Sequence, residues 1–420
     1  MPRDHGFPNL RHLQVVCSVA RCRSVSAAAA SVPLSQPAMT QAIAGLERYF
    51  GIPLFKRRNN GMQLTTAGER CLMRIERALE QLATGINEMS RSQAGSAWSV
   101  LSAAQLHALM AIVEHGGFSA AARGVGRSRP TIHRAAREAE AALGVPLFEA
   151  TSFGIRPTRD AEHMARRAQL ALHELQQARA ESTTGESAGV SVIGAMPLAR
   201  SVLLPRSIGA FAAEQPLHRI TVLEGTYAAL STALRSGQID WLIGALREEL
   251  APADVVEEHL FDDPLAIIMR AEHPLARNPR LSVRQLARFA WIAPLPGSPL
   301  RTHFDQLFGA DGVAAPSISI ECNSLMAARA LLLESDRLML LSAQQIYYER
   351  RAGLLIARPH PHGRVIRRIG LTHRRDWRPT AAQQRLLEIL RAQTRNLEDA
   401  AAGRSLAPGS ADSTLQGNHS

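Results

Sequence analysis

Residues Ser24–Thr65 read SVSAAAASVPLSQPAMTQAIAGLERYFGIPLFKRRNNGMQLT. The small residues Ala27–Ala30 predict a thin helix against which another helix can pack closely. Val32-Pro33-Leu34 breaks it, and Ser35 offers a side-chain oxygen to cap the next helix. Gln36 and Pro37 fall in that helix's first turn, where proline's missing N–H costs nothing. Met39, Ile43, Leu46 and Phe50 then recur at helical spacing, an apolar stripe for a core. Gly51 and Pro53 stop the helix, and Lys56-Arg57-Arg58-Asn59-Asn60-Gly61 makes a positively charged turn. The pattern is a helix-turn-helix followed by a basic wing. Ser35, Gln36, Pro37, Thr40 and Gln41 lie off the stripe, so they and Lys56, Arg57 and Arg58 are the candidate DNA contacts: amides and hydroxyls for base edges, cations for phosphates.

Working outward, Leu10, Leu13, Val16 and Cys17 predict a first helix over 10–21. Glu69 to about Ser90 carries Leu72, Ile75, Leu79, Leu82 and Ile86 in a narrow apolar seam. Such a seam suits pairing with another helix, or packing on its own domain. Ser92–Ser96 is a small-residue linker.

Beyond that linker the pattern begins again. Residues 10–68 align without a gap to 103–161 at a constant offset of 93, with 16 of 59 positions identical. Ser26-Ala27-Ala28-Ala29 returns as Ser119-Ala120-Ala121-Ala122, and Gly51-Ile52-Pro53-Leu54-Phe55 as Gly144-Val145-Pro146-Leu147-Phe148. The following helix recurs too, with Leu79 and Leu82 echoed by Leu172 and Leu175. The copies differ in charge: seven cations against one carboxylate in the first, seven against five in the second. Lys56-Arg57-Arg58 becomes Glu149-Ala150-Thr151, whereas Gln36, Thr40 and Gln41 become Arg129, His133 and Arg134, the second copy's candidate contacts. Either copy two binds DNA with another preference, or it is a spacer that has lost its wing contact.

The whole chain has 420 residues, 46% of them apolar, and a formal charge of +11. That bounds a soluble protein of several domains whose basic balance favours a polyanionic partner, nucleic acid before membrane. Cys17, Cys22, Cys71 and Cys322 show no C-x-x-C spacing, so a disulfide framework or zinc site is not expected. Cys17 and Cys22 are expected to be buried helix residues, and Cys322 has no second thiol in the C-terminal half. No apolar stretch reaches the roughly 18 residues of a membrane span and no signal-peptide core opens the chain, which predicts a cytoplasmic protein.

After the polar stretch Glu181–Ser187, strands and helices alternate: strands at Val190–Ile193, Ile220–Leu223, Ile239–Ile243, Leu265–Met269, Phe289–Ala293 and Leu338–Leu341, helices at Ile208–Ala213, Tyr227–Ser236, Leu325–Leu333 and Pro379–Leu390. The alternation predicts parallel sheets covered by helices, in two lobes with a cleft between them. Ligands in such sheets bind beyond strand C-termini, near helix N-termini.

These residues together resemble the LysR-type transcriptional regulators. Ser26–Ala29, Ser35–Ala38, Leu46-Glu47, Gly51–Phe55, Arg57 and Leu64–Gly68 match that family's N-terminal pattern. Ile193-Gly194-Ala195, Leu203-Leu204-Pro205, Gly237–Asp240, His273–Ala276 and Gly370–Thr372 match its effector domain. The resemblance implies a multidomain protein: two α-rich winged helix-turn-helix units with their linker helices (8–92 and a divergent 98–182), then an α/β two-lobed domain (188–395) like type 2 periplasmic solute-binding proteins. Residues 404–420 lack apolar periodicity and are expected to be a disordered tail.

The resemblance implies a regulator of promoter or operator DNA, controlled by a small, organic-acid-like effector. It also implies a homodimer or homotetramer assembled partly through the helices after each wing, with RNA polymerase an open further partner. It places effector contacts at Leu198, Ala199, Arg200 and Ser201, at Gly297, Ser298 and Arg301, and at Asn323 and Ser324. The plainer alternative is that Ser298 and Ser324 only cap helices and Arg301 only pairs on the surface. No catalytic, P-loop or metal motif occurs, so neither enzyme activity nor cofactor nor metal is expected. His360-Pro361-His362 reads as a polar loop, and nothing ties Glu321 or Asp336 to a partner. A second functional class stays open: a solute-binding module whose helix-turn-helix copies are structural.

Overall fold

The computed structural model describes residues 6–89, 101–182 and 189–401, without 31, 59, 60, 153 and 248–250. The linker expected at 92–96, residues 183–187 of the linker expected at 181–187, and the tail expected at 404–420 lie outside the described residues, while 181 and 182 still belong to the preceding helix rather than to a linker.

The first head is α1 (Leu10–Cys22), α2 (Val25–Ala28), α3 (Gln36–Phe50), the hairpin β1 (Phe55–Arg58) and β2 (Gly61–Leu64), and α4 (Thr66–Met89). The second is α5 (Ala103–His115), α6 (Phe118–Gly124), α7 (Arg129–Leu143), β3 (Phe148–Thr151), β4 (Gly154–Pro157) and α8 (Arg159–Ser182). Shared residues make shared bonds. Glu47 Oε1 accepts from Leu54 N at 2.8 Å and Phe55 N at 3.3 Å; Glu140 Oε1 accepts from Leu147 N at 2.9 Å and Phe148 N at 3.1 Å. Thr65 and Thr158 each donate to a proline carbonyl, Pro53 O and Pro146 O. Each tie fastens the wing to the helix ends beside it. α3 and α7 both end on a left-handed glycine, Gly51 at φ 76° and Gly144 at φ 68°. Lys56–Arg58 stand in strand β1 rather than in a turn. Cys17 is buried, which pushes its thiol up to about 12, but Cys22 is exposed at the end of α1, against expectation.

α4 and α8 pack against each other along most of their length, and the apolar seam runs between them. Ile75, Ala78, Leu82 and Ile86 face Met164, Ala165, Ala168, Ala171 and Leu175, all buried in one core shared by both heads. Gly85 leaves room for the partner helix, since a Cβ there would stand 2.9 Å from Met164 Sδ. Polar contacts give the direction: Arg74 reaches Glu174 and Glu181, and Arg167 reaches Gln81 and Glu88. Low numbers on one helix meet high numbers on the other, so the pair is antiparallel. Within this chain, the seam of each of these helices is covered by the other.

The C-terminal part has two lobes. The first holds β5 (Val190–Ala195), α9 (Leu203–Glu214), β6 (Arg219–Glu224), α10 (Tyr227–Arg235), β7 (Trp241–Ala245) and the closing α15 (Ala381–Ala401). The second holds α11 (Val283–Leu286), β9 (Ile292–Ala293), α12 (Pro299–Gly309), β10 (Ile320–Glu321), α13 (Leu325–Leu333), β11 (Met339–Ser342), α14 (Tyr347–Arg351) and β12 (Leu355–Pro359). Two strands join them: β8 (Val255–Arg270) pairs with β13 (Ile366–Arg374) in the first lobe and with β11 and β12 in the second. β5, β6 and β7 are parallel, but β8, β11, β12 and β13 are antiparallel, so the sheet is mixed rather than parallel. The strand expected over Phe289–Ala293 shrinks to Ile292–Ala293 plus a bridge at Trp291.

The heads are anchored to the first lobe. Asp240 is buried, accepts from Val192 N at 2.7 Å and from Gln177 Nε2 at 3.4 Å, and pairs with His173 of α8 at 3.2 Å. Burial alone would raise its pKa, but His173, the Val192 N–H and Arg374 outweigh it and hold the carboxyl below its ordinary value. Arg74 also donates to Arg378 O at 3.0 Å, and Gln81 Nε2 to Asp376 at 2.7 Å.

Candidate nucleic-acid interface and interlobe site

Ser35 caps α3, its Oγ accepting from Ala38 N at 3.4 Å, and Ser128 caps α7 from Thr131 N at 3.3 Å. Gln36, Pro37, Thr40 and Gln41 are all exposed, while Met39, Ile43, Leu46 and Phe50 are buried beneath them. Thr40 Oγ1 donates to Gln36 O at 3.0 Å, which leaves its lone pairs outward. Lys56, Arg57 and Arg58 are exposed on β1. Arg129, His133 and Arg134 occupy the same face of α7 and are exposed as well. Around them stand Arg123, Arg127 and Arg156, also exposed, at positions where the first copy has Ala30, Leu34 and Gln63. The second head has lost the cations of its first wing strand and gained Arg123 and Arg127 at the approach of its reading helix and Arg156 on its second wing strand, a shift legible in the aligned copies.

The expected effector residues fall in three settings. Leu198 and Ala199 are buried in the first lobe's core, so only their backbone can face a ligand. Arg200 pairs with Glu224. Ser298 Oγ accepts from Arg301 N at 3.2 Å and Ser324 Oγ from Ala327 N at 3.3 Å, so both cap helices, after the exposed Gly297 and Asn323. Arg301 pairs with Asp305 at 2.9 Å and Glu321 at 2.7 Å, so two carboxylates already compensate it. That is the plainer reading of these three. Glu321 and Asp336 both have cationic partners, Arg301 and Arg270.

Ser201 crosses the lobes: its Oγ accepts from Arg329 Nη2 of α13 at 2.9 Å. Arg329 also meets Gln345 O and Glu349. At the strand crossing, Arg367 Nη2 donates to buried Asp263 at 2.5 Å and to Gln345 Oε1 at 3.0 Å. Burial raises the Asp263 pKa, and Arg367 offsets only part of that. The Nε atoms of Arg329 and Arg367 are buried without a hydrogen-bond partner among the described residues. Neither arginine stood out in the sequence, because each belongs to an otherwise ordinary helix or strand. His360 is buried rather than part of a solvated loop, and its ring meets that of His362 at 5.4 Å.

Two winged heads on a hinged, two-lobed α/β domain make a DNA-binding regulator with a small-molecule domain. The match to known families is explicit. The model described as "Bacterial regulatory helix-turn-helix protein, lysR family" matches residues 10–69 and again 103–162, and "LysR substrate binding domain" matches 184–395. The chain belongs to the LysR family of transcriptional regulators. The HTH-type transcriptional regulator GalR of Pseudomonas putida is 34% identical over 390 residues, 92% of this chain and 98% of that protein. An alignment of that extent includes parts of both heads. The HTH-type transcriptional regulator PcaQ of Agrobacterium fabrum is 31% identical over 276 residues, 65% of this chain and 88% of that protein. The structure of a full-length OxyR variant from Pseudomonas aeruginosa superposes with a TM-score of 0.52 at 22% identity over 70% of this chain and 94% of that one, a likeness of fold. No helix among the described residues is long and apolar enough to cross a membrane.

Proposed function

We propose that this LysR-family regulator reads operator DNA through Ser35, Gln36, Pro37, Thr40 and Gln41, with Lys56, Arg57 and Arg58 on phosphates, and through Arg129, His133 and Arg134 on the second head. The observation that carries the reading is electrostatic. None of these lysine and arginine side chains has an ion-pair partner among the described residues, on faces that are otherwise polar and open. The effector is a small organic anion held between the lobes, where the Arg329 and Arg367 Nε–H groups are unspent. Closure on it would move the first lobe, to which Asp240 ties α8. The protein works in the cytoplasm as a homo-oligomer. Because the α4–α8 seam is filled, its subunit contact lies on the effector domains, which expose Val222 and Leu223 on β6 and Met326 on α13. RNA polymerase is the further partner that a role at promoters requires. A gel-shift titration at moderate salt against random and selected duplexes tests the core of this reading: absence of sequence-dependent affinity would sink it.

A further inference from the structure

Equivalent positions of the two copies stand 93 residues apart. Arg74 and Arg167 are such a pair, as are Gln81 and Glu174, and Glu88 and Glu181. Arg74 donates to Glu174 at 2.9 Å and to Glu181 at 2.9 Å; Arg167 donates to Gln81 at 2.9 Å and to Glu88 at 3.0 Å. Both of these contacts made by Arg74 on the second copy are returned by Arg167 on the first, as in an isologous twofold interface. Here both halves belong to one polypeptide. A twofold perpendicular to an antiparallel helix pair gives both heads the same aspect along its axis, an arrangement that allows α3 and α7 to address one duplex.

The two faces differ in chemistry. At equivalent places the first offers Gln36 and Gln41, and the second Arg129 and Arg134. Glutamine amides match adenine N6 and N7, whereas guanidinium groups match guanine O6 and N7. The exposed cations differ in place too: Lys56, Arg57 and Arg58 stand on the first head's wing, Arg123 and Arg127 before α7 and Arg156 on β4 of the second.

We infer that a single chain is a complete bipartite reader, whose partner is a non-palindromic operator with an adenine-leaning half-site under the first head and a guanine-leaning half-site under the second. The rigid α4–α8 pair makes the second contact intramolecular, so no second chain is needed to fill the two halves. This inference rests on the assignment of α3 and α7 as reading helices, and the experiment separates the two.

Full-length protein is used to select duplexes from a random pool, and the selected site is footprinted with variants. Gln36→Ala and Arg57→Ala should abolish protection in one half, Arg129→Ala and Arg134→Ala in the other. Each change should weaken the full site by about 10-fold to 100-fold, the usual cost of one lost base or phosphate contact. DNA carrying one bipartite site should take up one pair of heads, with crosslinks from both heads of the same chain. Arg167→Glu, which sets two carboxylates against each other at Glu88, should lower affinity for the full site but not for the isolated first half, and Glu88→Arg in the same chain should restore it. Identical half-sites under the two heads of one chain, or a footprint and affinity indifferent to Arg129→Ala and Arg134→Ala, overturn the inference. Indifference to all four substitutions instead overturns the assignment of the reading helices.

Discussion

Arg74 and Arg167 do the same work from opposite sides of one seam, yet only Arg74 is buried. Its partner Glu174 is 8% exposed at the side chain, whereas Glu88 opposite Arg167 is 48% exposed. Glu174 also receives Arg77, where the second copy has Leu170. The seam is thus wholly ionic and buried at one end, and more open at the other, where Arg167 meets the Gln81 amide and the exposed Glu88.

Removing one member of a buried pair strands the other, at a cost of roughly 3–5 kcal/mol, while an exposed pair is worth roughly 0–1 kcal/mol. Arg74→Ala should therefore lower the urea midpoint of the full chain far more than Arg167→Ala. Glu174→Gln, which copies Gln81, should fall between them. Equal losses for the two arginines would show that burial does not set their value.

The wing gives a prediction with a slope. Each of Lys56→Ala, Arg57→Ala and Arg58→Ala should weaken binding to all sequences and reduce the steepness of log K against log salt by about 1. Gln36→Ala should instead relax discrimination by about 1–3 kcal/mol at one base pair. Glu149→Lys in the second head, the reverse of the natural difference at the position equivalent to Lys56, should steepen the salt dependence without changing sequence preference.

Much of this was legible in the sequence because the heads are built from local rules. Caps at Ser35 and Ser128, stop glycines at Gly51 and Gly144 and the stripe from Met39 to Phe50 act within a few residues of themselves. The 93-residue offset made the second head visible by comparison with the first. The antiparallel strands escaped because β13 pairs with β8 about a hundred residues earlier, and β8 carries charged residues and Pro264 where it crosses between lobes. The interlobe cluster escaped for the same reason: Ser201 and Arg329 meet across 128 residues of chain. Ser298 and Ser324 could be read either as caps or as ligand groups, since a helix N-terminus serves both. The match of α4 to α8 needed the fold itself, because an apolar seam names no partner.

Arg329 supplies the effector prediction. Arg329→Ala removes the bridge to Ser201 and one of the two unspent guanidinium donors, so the melting shift caused by a panel of small carboxylates should disappear. Basal affinity for selected DNA should stay within about twofold, because Arg329 touches neither head. Loss of DNA affinity without loss of the carboxylate response would place the anion elsewhere.

His360 sets an acid limit on the second lobe. Burial, with smaller contributions from His362 and His303, pulls it down to about 4 from an ordinary value of 6.5. His303 and His273 are lowered by burial as well. Above pH 6.5 folded and unfolded chains both hold these rings neutral, and they contribute no pH dependence. Between about 6.5 and 4 the unfolded chain binds protons that the folded lobe refuses, so stability must fall as pH falls through that window. Melting temperature measured from pH 8 to pH 4.5 should decline across it, and His360→Asn, whose amide oxygen can replace Nδ1 as acceptor from His362 N, should flatten part of the decline. An unchanged slope in that variant would shift the acid sensitivity to His273 and His303.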